Sequence, residues 1–291
     1  LWCGNNEIEV AWRNWGWQQK YHLHGEDSAQ QWQAYLSLFD TLIPTALSNW
    51  NAGVPYTRSS PIGNWGNLQQ MKRGDNHDWG IWHGERGFSH LDSARMPFCS
   101  EYGLPSPFDW ALAQDGKEND WRSLLLSYKG PKLLEKYVHE EYPKTWPGQG
   151  SECAEVTNFG DSAAVVQGEF LYRAMISHRM ASPFCMGSLF WQYNDIWNGT
   201  TWSVANSQHG WSILKSSQGR VAEAMLPVVM RLQRSGWWGA KDQFYVQLNS
   251  RLLTDTEVKL RVTAYDSIGQ DLFQRNVKMR VPRNLNLNDG L

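Results

Sequence analysis

The chain has 291 residues, is 41% hydrophobic and carries a formal net charge of -2, with no block of like charges. That length holds one large domain or two ordinary ones. The balance of charge excludes a nucleic acid or a membrane surface as partner and suits a neutral ligand. No apolar run approaches the ~20 residues of a membrane span.

In chain order, LWCGN (1–5) reads as a strand end. SAQQWQAYLSLFDTLI (28–43) reads as an amphipathic helix with Trp32, Leu36, Phe39 and Ile43 on one face. Ser28 and Gln31 form a capping box there, and Pro44 closes it. GVPY (53–56), HDWGIW (77–82) and RMPFCSE (95–101) follow as strands. DSAAVVQGEFLYRAMISHRMA (161–181) is a helix opened by Asp161, GSLFWQYND (187–195) a strand and SQGRVAEAM (217–225) a helix. Alternating strands and helices imply parallel strands with covering helices, in a doubly wound sheet or a (β/α)8 barrel. No glycine-rich phosphate loop follows a strand, and polar and aromatic residues gather at strand ends, which favours the barrel. About five strands precede residue 226 where a barrel needs eight, so three are expected to be missing. After Pro227 the period becomes two. Val258, Leu260, Val262 and Ala264 alternate with Glu257, Lys259, Arg261 and Thr263, the pattern of antiparallel strands in a β-sandwich. Four such strands are too few to close one. The division is 1–226 for the α/β part and 227–291 for the β part.

Eighteen tryptophans are the compositional outlier. Most read as core, and a minority reads as flat platforms in a saccharide cleft. Cys3, Cys99, Cys153 and Cys185 form no CxxC, so no metal site is expected. Cys3 and Cys99 read as buried free thiols, a Cys153–Cys185 disulfide is open, and Asn198-Gly199-Thr200 is a glycosylation sequon.

Two carboxylates end apolar segments: Glu7 in Gly4-Asn5-Asn6-Glu7 and Glu101 in Phe98-Cys99-Ser100-Glu101. A pair about 5 Å apart is what double-displacement glycoside hydrolysis uses. Each also reads singly as a solvated rim residue.

Four segments carry a resemblance. LWCGNNE (1–7) resembles the acid/base segment closing the fourth barrel strand of glycoside hydrolase family 2, β-mannosidase branch. GDNHDWGIWHG (74–84) is similar to its strand six, CSEYG (99–103) to its nucleophile segment on strand seven and GSLFWQYNDIW (187–197) to its strand eight. The order is the family's, and the likeness covers roughly residues 1–250. It implies a partial (β/α)8 TIM barrel, strands four to eight, followed by part of an immunoglobulin-like β-sandwich. By the resemblance Glu7 is the acid/base and Glu101 the nucleophile. Asn6 binds the sugar 2-hydroxyl, Trp191 is the platform beneath the sugar, and Asp75, His77, Trp79, Trp82 and His83 form part of the pocket wall. The implied partner is a β-mannoside oligosaccharide, cleaved with retention and without cofactor or metal, in a secreted, periplasmic or lysosomal setting rather than a cytoplasmic one. In that mechanism proximity and apolar walls keep Glu7 protonated while donors keep Glu101 charged.

Two departures stand out. Asp78 replaces the family's tyrosine, and Leu104-Pro105 follows Gly103 where the family has an aromatic and a glutamine. Asp78 keeps open a related β-glycosidase acting on a glucosaminide, glucuronide or galactoside. The missing strands keep open an inactive sugar-binding fragment, with activity expected of a full-length parent rather than of these residues alone.

Overall fold

Residues 1–51, 53–64, 67, 69–107, 122, 125–145, 159–195, 199–206, 213–235, 243–266, 268–283 and 286–290 are described by the computed structural model of the chain. Cys153, the sequon Asn198 and the end of the 187–197 segment lie outside them.

The first strand, β1 (Trp2–Cys3), leads through Glu7 into α1 (Ile8–Asn14) and α2 (Trp17–Lys20). The long helix expected over 28–43 starts earlier and runs on. It comprises α3 (Gly25–Leu36), a π-helical turn (Ser37–Leu42) and α4 (Ile43–Asn51). No side chain caps α3, so the Ser28–Gln31 box falls inside it. Pro44 does not stop the helix but sits in the first turn of α4, just after the wider π turn. Proline has no N–H to give to the preceding turn, and the Phe39 carbonyl there accepts the Tyr56 hydroxyl at 2.6 Å instead. Tyr35 and Phe39 are the buried residues of this face, and Trp32 stacks on Tyr35 with centroids 4.7 Å apart.

Next come β2 (Tyr56–Thr57), β3 (Gly63–Asn64), β4 (Asp75–His77), α5 (His90–Ser93) and β5 (Phe98–Glu101). The strand expected over 77–82 is shorter and earlier, because residues 80–84 form a turn. β1 pairs with β2, β3 with β4 and β4 with β5, all in parallel. Asn6 bridges Ser60 in the same sense. Beyond β5 the chain from Gly187 runs alongside it. Cys99 N donates to Gly187 O at 3.0 Å and Leu189 N to Cys99 O at 2.8 Å, although only Ser188 forms a bridge. Thus the strand expected over 187–195 is an extended neighbour of β5 rather than a regular ladder. Parallel neighbours in chain order bring their C-terminal ends to one side, where Glu7, His77 and Glu101 stand.

The other faces are covered by α6 (Pro131–Thr145), α7 (Phe159–Met180) and α8 (Ser217–Ala224), with a short ribbon of β6 (Ala205–Asn206) and β7 (Ile213–Leu214) between the last two. α7 is buried on nearly all sides, as a helix without a polar stripe must be. Its Phe170, Leu171 and Ala174 join Trp82, Phe88, Tyr102, Leu134 and Tyr137 in the main core. Gln167 uses its amide to donate to Leu104 O at 2.8 Å and Trp202 O at 3.1 Å, so the carbonyls around Pro105 are met. Lys215 donates to Ser106 O and Thr201 O, and its burial pushes the amine down to about 7 against a weaker opposing pull from Asp195.

From β8 onward every pairing is antiparallel. β8 (Val228–Ser235), β9 (Gln243–Ser250) and β12 (Asn286–Gly290) form one sheet, and β10 (Thr256–Tyr265) and β11 (Asp271–Val281) another. Val246 and Leu248 of the first sheet pack with Leu260 and Val281 of the second. The expected alternation holds over Val258–Val262, but Ala264 is exposed near the strand end. Buried Arg179, in the last turn of α7, ties this part to the rest. It donates to Asn249 Oδ1 at 2.8 Å and to the carbonyls of Ala224, Leu226 and Pro227.

Cys99 is a buried free thiol as expected, while Cys3 is exposed, because β1 is an edge strand with a single partner. Cys185 is buried and free. Among the described residues no helix is long and apolar enough to cross a membrane.

Candidate active site

Glu7 ends the first strand segment with φ 62° and ψ 0°. A non-glycine residue in this left-handed region carries a local cost of ~1–3 kcal/mol and is a marker of functional sites. Here the turn is held from both sides. Glu7 N donates to Ser60 O at 2.7 Å, and Glu7 O accepts from Ala11 N at 2.8 Å. Upstream, Gly4 leaves room for Tyr56 Oη and the Arg58 carbonyl, which a Cβ would strike. Asn5 locks the segment, donating to Arg58 O at 2.7 Å while its Oδ1 accepts from Ile8 N and Ser59 Oγ. Asn6 is exposed and lines a pocket with Glu7.

His77 closes β4 and is only 3% exposed. Its Nδ1 lies 2.7 Å from Glu7 Oε1 and 2.7 Å from Glu101 Oε2. The carboxylate oxygens and this nitrogen all fall within 4.8 Å of one another. Burial opposes charge on the ring, but the bonds to Glu101 and then Glu7 outweigh it and push His77 up to about 9. The imidazole is thus a cation at neutral pH, set between two carboxylates. Its Nε2 is 3.2 Å from Ser60 Oγ. Glu101 is itself buried, and its carbonyl accepts from Asp78 N at 2.7 Å, fixing β5 against β4.

The pocket encloses about 610 Å³ and is lined, among the described residues, by Asn6, Glu7, Glu101 and a ring of aromatics: Trp15, Trp79, His83, Tyr128, Trp191 and Trp202. Trp191 is 45% exposed, so its face is available to a ligand. Its N–H donates to Tyr102 O at 2.8 Å, and its own carbonyl sits where a Cβ on Gly103 would be. His83 stacks on Tyr128 at 5.4 Å and 5°, and Lys129 Nζ lies 5.3 Å from the centroid of that tyrosine's ring. Burial, then Lys129, push His83 down to about 4 against Glu7, so the ring is neutral. His83 Nδ1 and Trp202 Nε1 are buried without hydrogen-bond partners among the described residues, each at a cost of about 1–3 kcal/mol.

The sequence-predicted residues therefore divide. Asn6, Glu7, Trp79, His83, Glu101 and Trp191 meet at one pocket. His77 lies beneath it and touches both carboxylates. Asp75 is turned away, accepting from Ser60 Oγ, from Ser100 Oγ at 2.9 Å and from Ile62 N at 2.9 Å. Trp82 is fully buried in the core, donates to Ser127 Oγ and packs edge-on against Trp202. Asp78, just past the end of β4, also faces away from the sugar side. Its carboxylate accepts from His90 Nε2 at 2.9 Å and Gly80 N at 3.1 Å. Arg86 donates to His90 Nδ1 at 3.2 Å, which fixes the proton on Nε2. The pocket also holds Trp15, Tyr128 and Trp202, which sequence reasoning did not single out. Trp15 was signalled by the Trp-rich AWRNWGW run (11–17) shortly after Glu7. Tyr128 gave no signal, since its place depends on a loop far along the chain.

Asp75, His77 and His83 do not converge as one set of ligands among the described residues. Asp75 serves two serines and His83 stacks on a tyrosine. Among the described residues the grouping of ligand type that does form is Glu7, His77 and Glu101, which could hold a divalent ion through two oxygens and one nitrogen.

No family model matches the chain. It is 25% identical over 294 residues to a β-mannosidase of Rattus norvegicus, covering 90% of this chain and 31% of the relative. It is 22% identical to β-mannosidase B of Thermothelomyces thermophilus, covering 94% of this chain and 32% of that protein. Its backbone is similar to the crystal structure of a β-D-mannosidase from Dictyoglomus thermophilum, with TM-score 0.72 and 19% identity over 99% of this chain and 33% of that one. The chain thus spans about a third of the length of the relatives it matches. In sequence over most of its length, and in backbone over nearly all of it, this chain resembles part of a β-mannosidase, the branch to which its four motifs pointed.

Proposed function

We propose that the pocket is the cleavage site of a retaining exo-β-mannosidase, which removes terminal non-reducing β-D-mannose from oligosaccharides. The observation that carries this reading is the placing of the Glu7 and Glu101 carboxylates within 4.8 Å across one aromatic-walled pocket. Retaining enzymes set such groups ~5–5.5 Å apart, whereas inverting ones leave ~6.5–9.5 Å for a water. Glu101 attacks the anomeric carbon as the bond to the leaving oxygen breaks, and Glu7 gives its proton to that oxygen. Glu7, now a carboxylate, takes a proton from water. The water oxygen displaces Glu101 from the sugar, and two inversions give retention.

The other roles follow from placement. Asn6 makes no protein side-chain hydrogen bond among the described residues and is available to the 2-hydroxyl, a contact that strengthens in the transition state. Trp191 is the platform, and Trp79, His83 and Trp202 form walls. His77 is a positioning residue that holds both carboxylates. Asp75 orients Ser60 and Ser100 behind them, and Trp82 backs Trp202. The parallel strands are read as strands four to eight of a (β/α)8 barrel at 1–226, and the antiparallel sheets as part of an immunoglobulin-like sandwich at 227–291. The setting that goes with this reading is secreted, periplasmic or lysosomal.

An amino-sugar substrate is disfavoured, since Asp78, the carboxylate that would have met its ammonium, is turned onto His90. A 2-fluoro mannosyl inactivator followed by peptide mass analysis tests the proposal. It should add one sugar at Glu101, and clean labelling elsewhere would sink the assignment.

A further inference from the structure

At the opposite end of the β5 region, where the parallel strands meet the antiparallel part, lies a second cavity of about 320 Å³. This is at the small end of the ~300–1,000 Å³ usual for ligand sites. Its polar wall consists of Arg179, Arg251, Ser182, Ser188, Asn249 and Ser250, and no Asp or Glu lines it among the described residues. We propose that this cavity binds a tetrahedral oxyanion, as free phosphate or as the phosphate group of a small sugar phosphate.

The charge is uncompensated. Arg179 spends its bonds on neutral acceptors: Nε on Asn249 Oδ1, Nη1 on Ala224 O and Leu226 O, and Nη2 on Pro227 O. A guanidinium has five N–H groups, so one on Nη2 remains. No carboxylate pairs with Arg179 or Arg251 among the described residues. Arg251 is exposed and is held only through its backbone, donating to Pro227 O at 2.8 Å. The two cations feel each other: burial and then Arg251 push Arg179 down to about 10. Two like charges beside a cavity, one of them buried, raise the free energy of the empty site. An anion between them relieves it, and the fork of the Arg251 guanidinium matches phosphate oxygens. The Ser250 hydroxyl adds a donor. Ser250 Oγ accepts from Leu252 N at 3.2 Å and keeps its hydrogen for a ligand. His178, alongside, contributes no charge, since burial pushes it down to about 4. The remaining Arg179 N–H, the Arg251 guanidinium and the Ser250 hydroxyl come from three separate residues of the cavity wall, a spread that suits the oxygens of a tetrahedral group.

The test is thermal unfolding of the full chain in inorganic phosphate against sodium chloride at matched ionic strength, for the wild type and Arg251→Ala. Arg251 is exposed, so its loss leaves the fold intact. At phosphate ten times its Kd the wild type should gain roughly 2–3 °C more than the variant. The phosphorus NMR line of phosphate should broaden with the wild type and not with the variant. Equal shifts in the two proteins, which a general salt effect would give, overturn the proposal, as does an unbroadened line. A hexose 6-phosphate giving the larger shift assigns the site to a sugar phosphate, and inorganic phosphate giving the larger shift assigns it to the free anion.

Discussion

His77 Nδ1 stands 2.7 Å from Glu101 Oε2, and the same nitrogen is 2.7 Å from Glu7 Oε1. One ring nitrogen therefore sets the separation of both carboxylates, and its proton can serve only one of them at full strength at a time. In the proposed mechanism this is a useful instability, because the charge on Glu7 and Glu101 alternates through the cycle. His77→Gln keeps a donor but loses the cation. Its kcat should fall much more than its KM rises, and its pH–rate profile should change shape. An unchanged profile would show that His77 only fills space.

The same ring makes stability depend on pH. The folded value of His77 is raised from 6.5 to about 9. Its contribution is thus fully present below about pH 6.5 and is lost as pH rises through about 9. Lys215 works in the opposite sense. Its folded value is lowered from 10.5 to about 7, the unfolded chain binds the extra proton between those values, and stability rises across that range. Urea midpoints between pH 6.5 and 9 should accordingly vary little in the wild type. They should climb in His77→Gln, where the Lys215 contribution acts alone, and fall in Lys215→Met.

Glu7→Ala should lower kcat/KM on oligosaccharides by roughly 10²–10⁴-fold while sparing aryl mannosides with very good leaving groups, which need no proton. Glu101→Ala should abolish turnover of both. Equal losses on the two substrate classes in Glu7→Ala would remove it from the acid/base role.

Gly103→Ala should displace Trp191. The added Cβ meets the Trp191 carbonyl, which is backbone and cannot swing aside. An overpacked buried site costs about 1–3 kcal/mol. The more telling readout is a raised KM together with loss of the tryptophan fluorescence change on sugar binding. A substrate affinity matching the wild type would contradict the platform assignment.

Arg179→Met should loosen the antiparallel part from the helices. It leaves Asn249 Oδ1 and three carbonyls without their donor, a loss of about 2–4 kcal/mol from groups of this kind. Limited proteolysis near residue 227 should accelerate in the variant. An unchanged cleavage rate would assign the connection to apolar packing alone.

The sequence by itself located segments whose residues line the pocket. A glutamate at the end of an apolar run is recorded in primary structure, and so is the switch from strand–helix alternation to period two after Pro227. Both follow from local rules, because the pleat and the helical turn impose their periods on the residues that fill them. It also marked Asn6, Glu7, Glu101 and Trp191, which meet at one pocket. Pro44 was misleading, because local propensity cannot show that a tyrosine from β2 will take the carbonyl its missing N–H leaves unmet. Direction within a strand was equally hidden. The string His77-Asp78 does not say which residue faces the carboxylates; the pairing of β4 with β5 does, and it sends Asp78 to His90 and Trp82 into the core. The joining of Glu7 and Glu101 by one imidazole, and the pair of guanidiniums beside the second cavity, belong to the tertiary structure alone. They depend on contacts such as Glu7 with His77 and Arg179 with Asn249, each 70 positions apart, brought together only when the parallel strands align and the β part docks on α7.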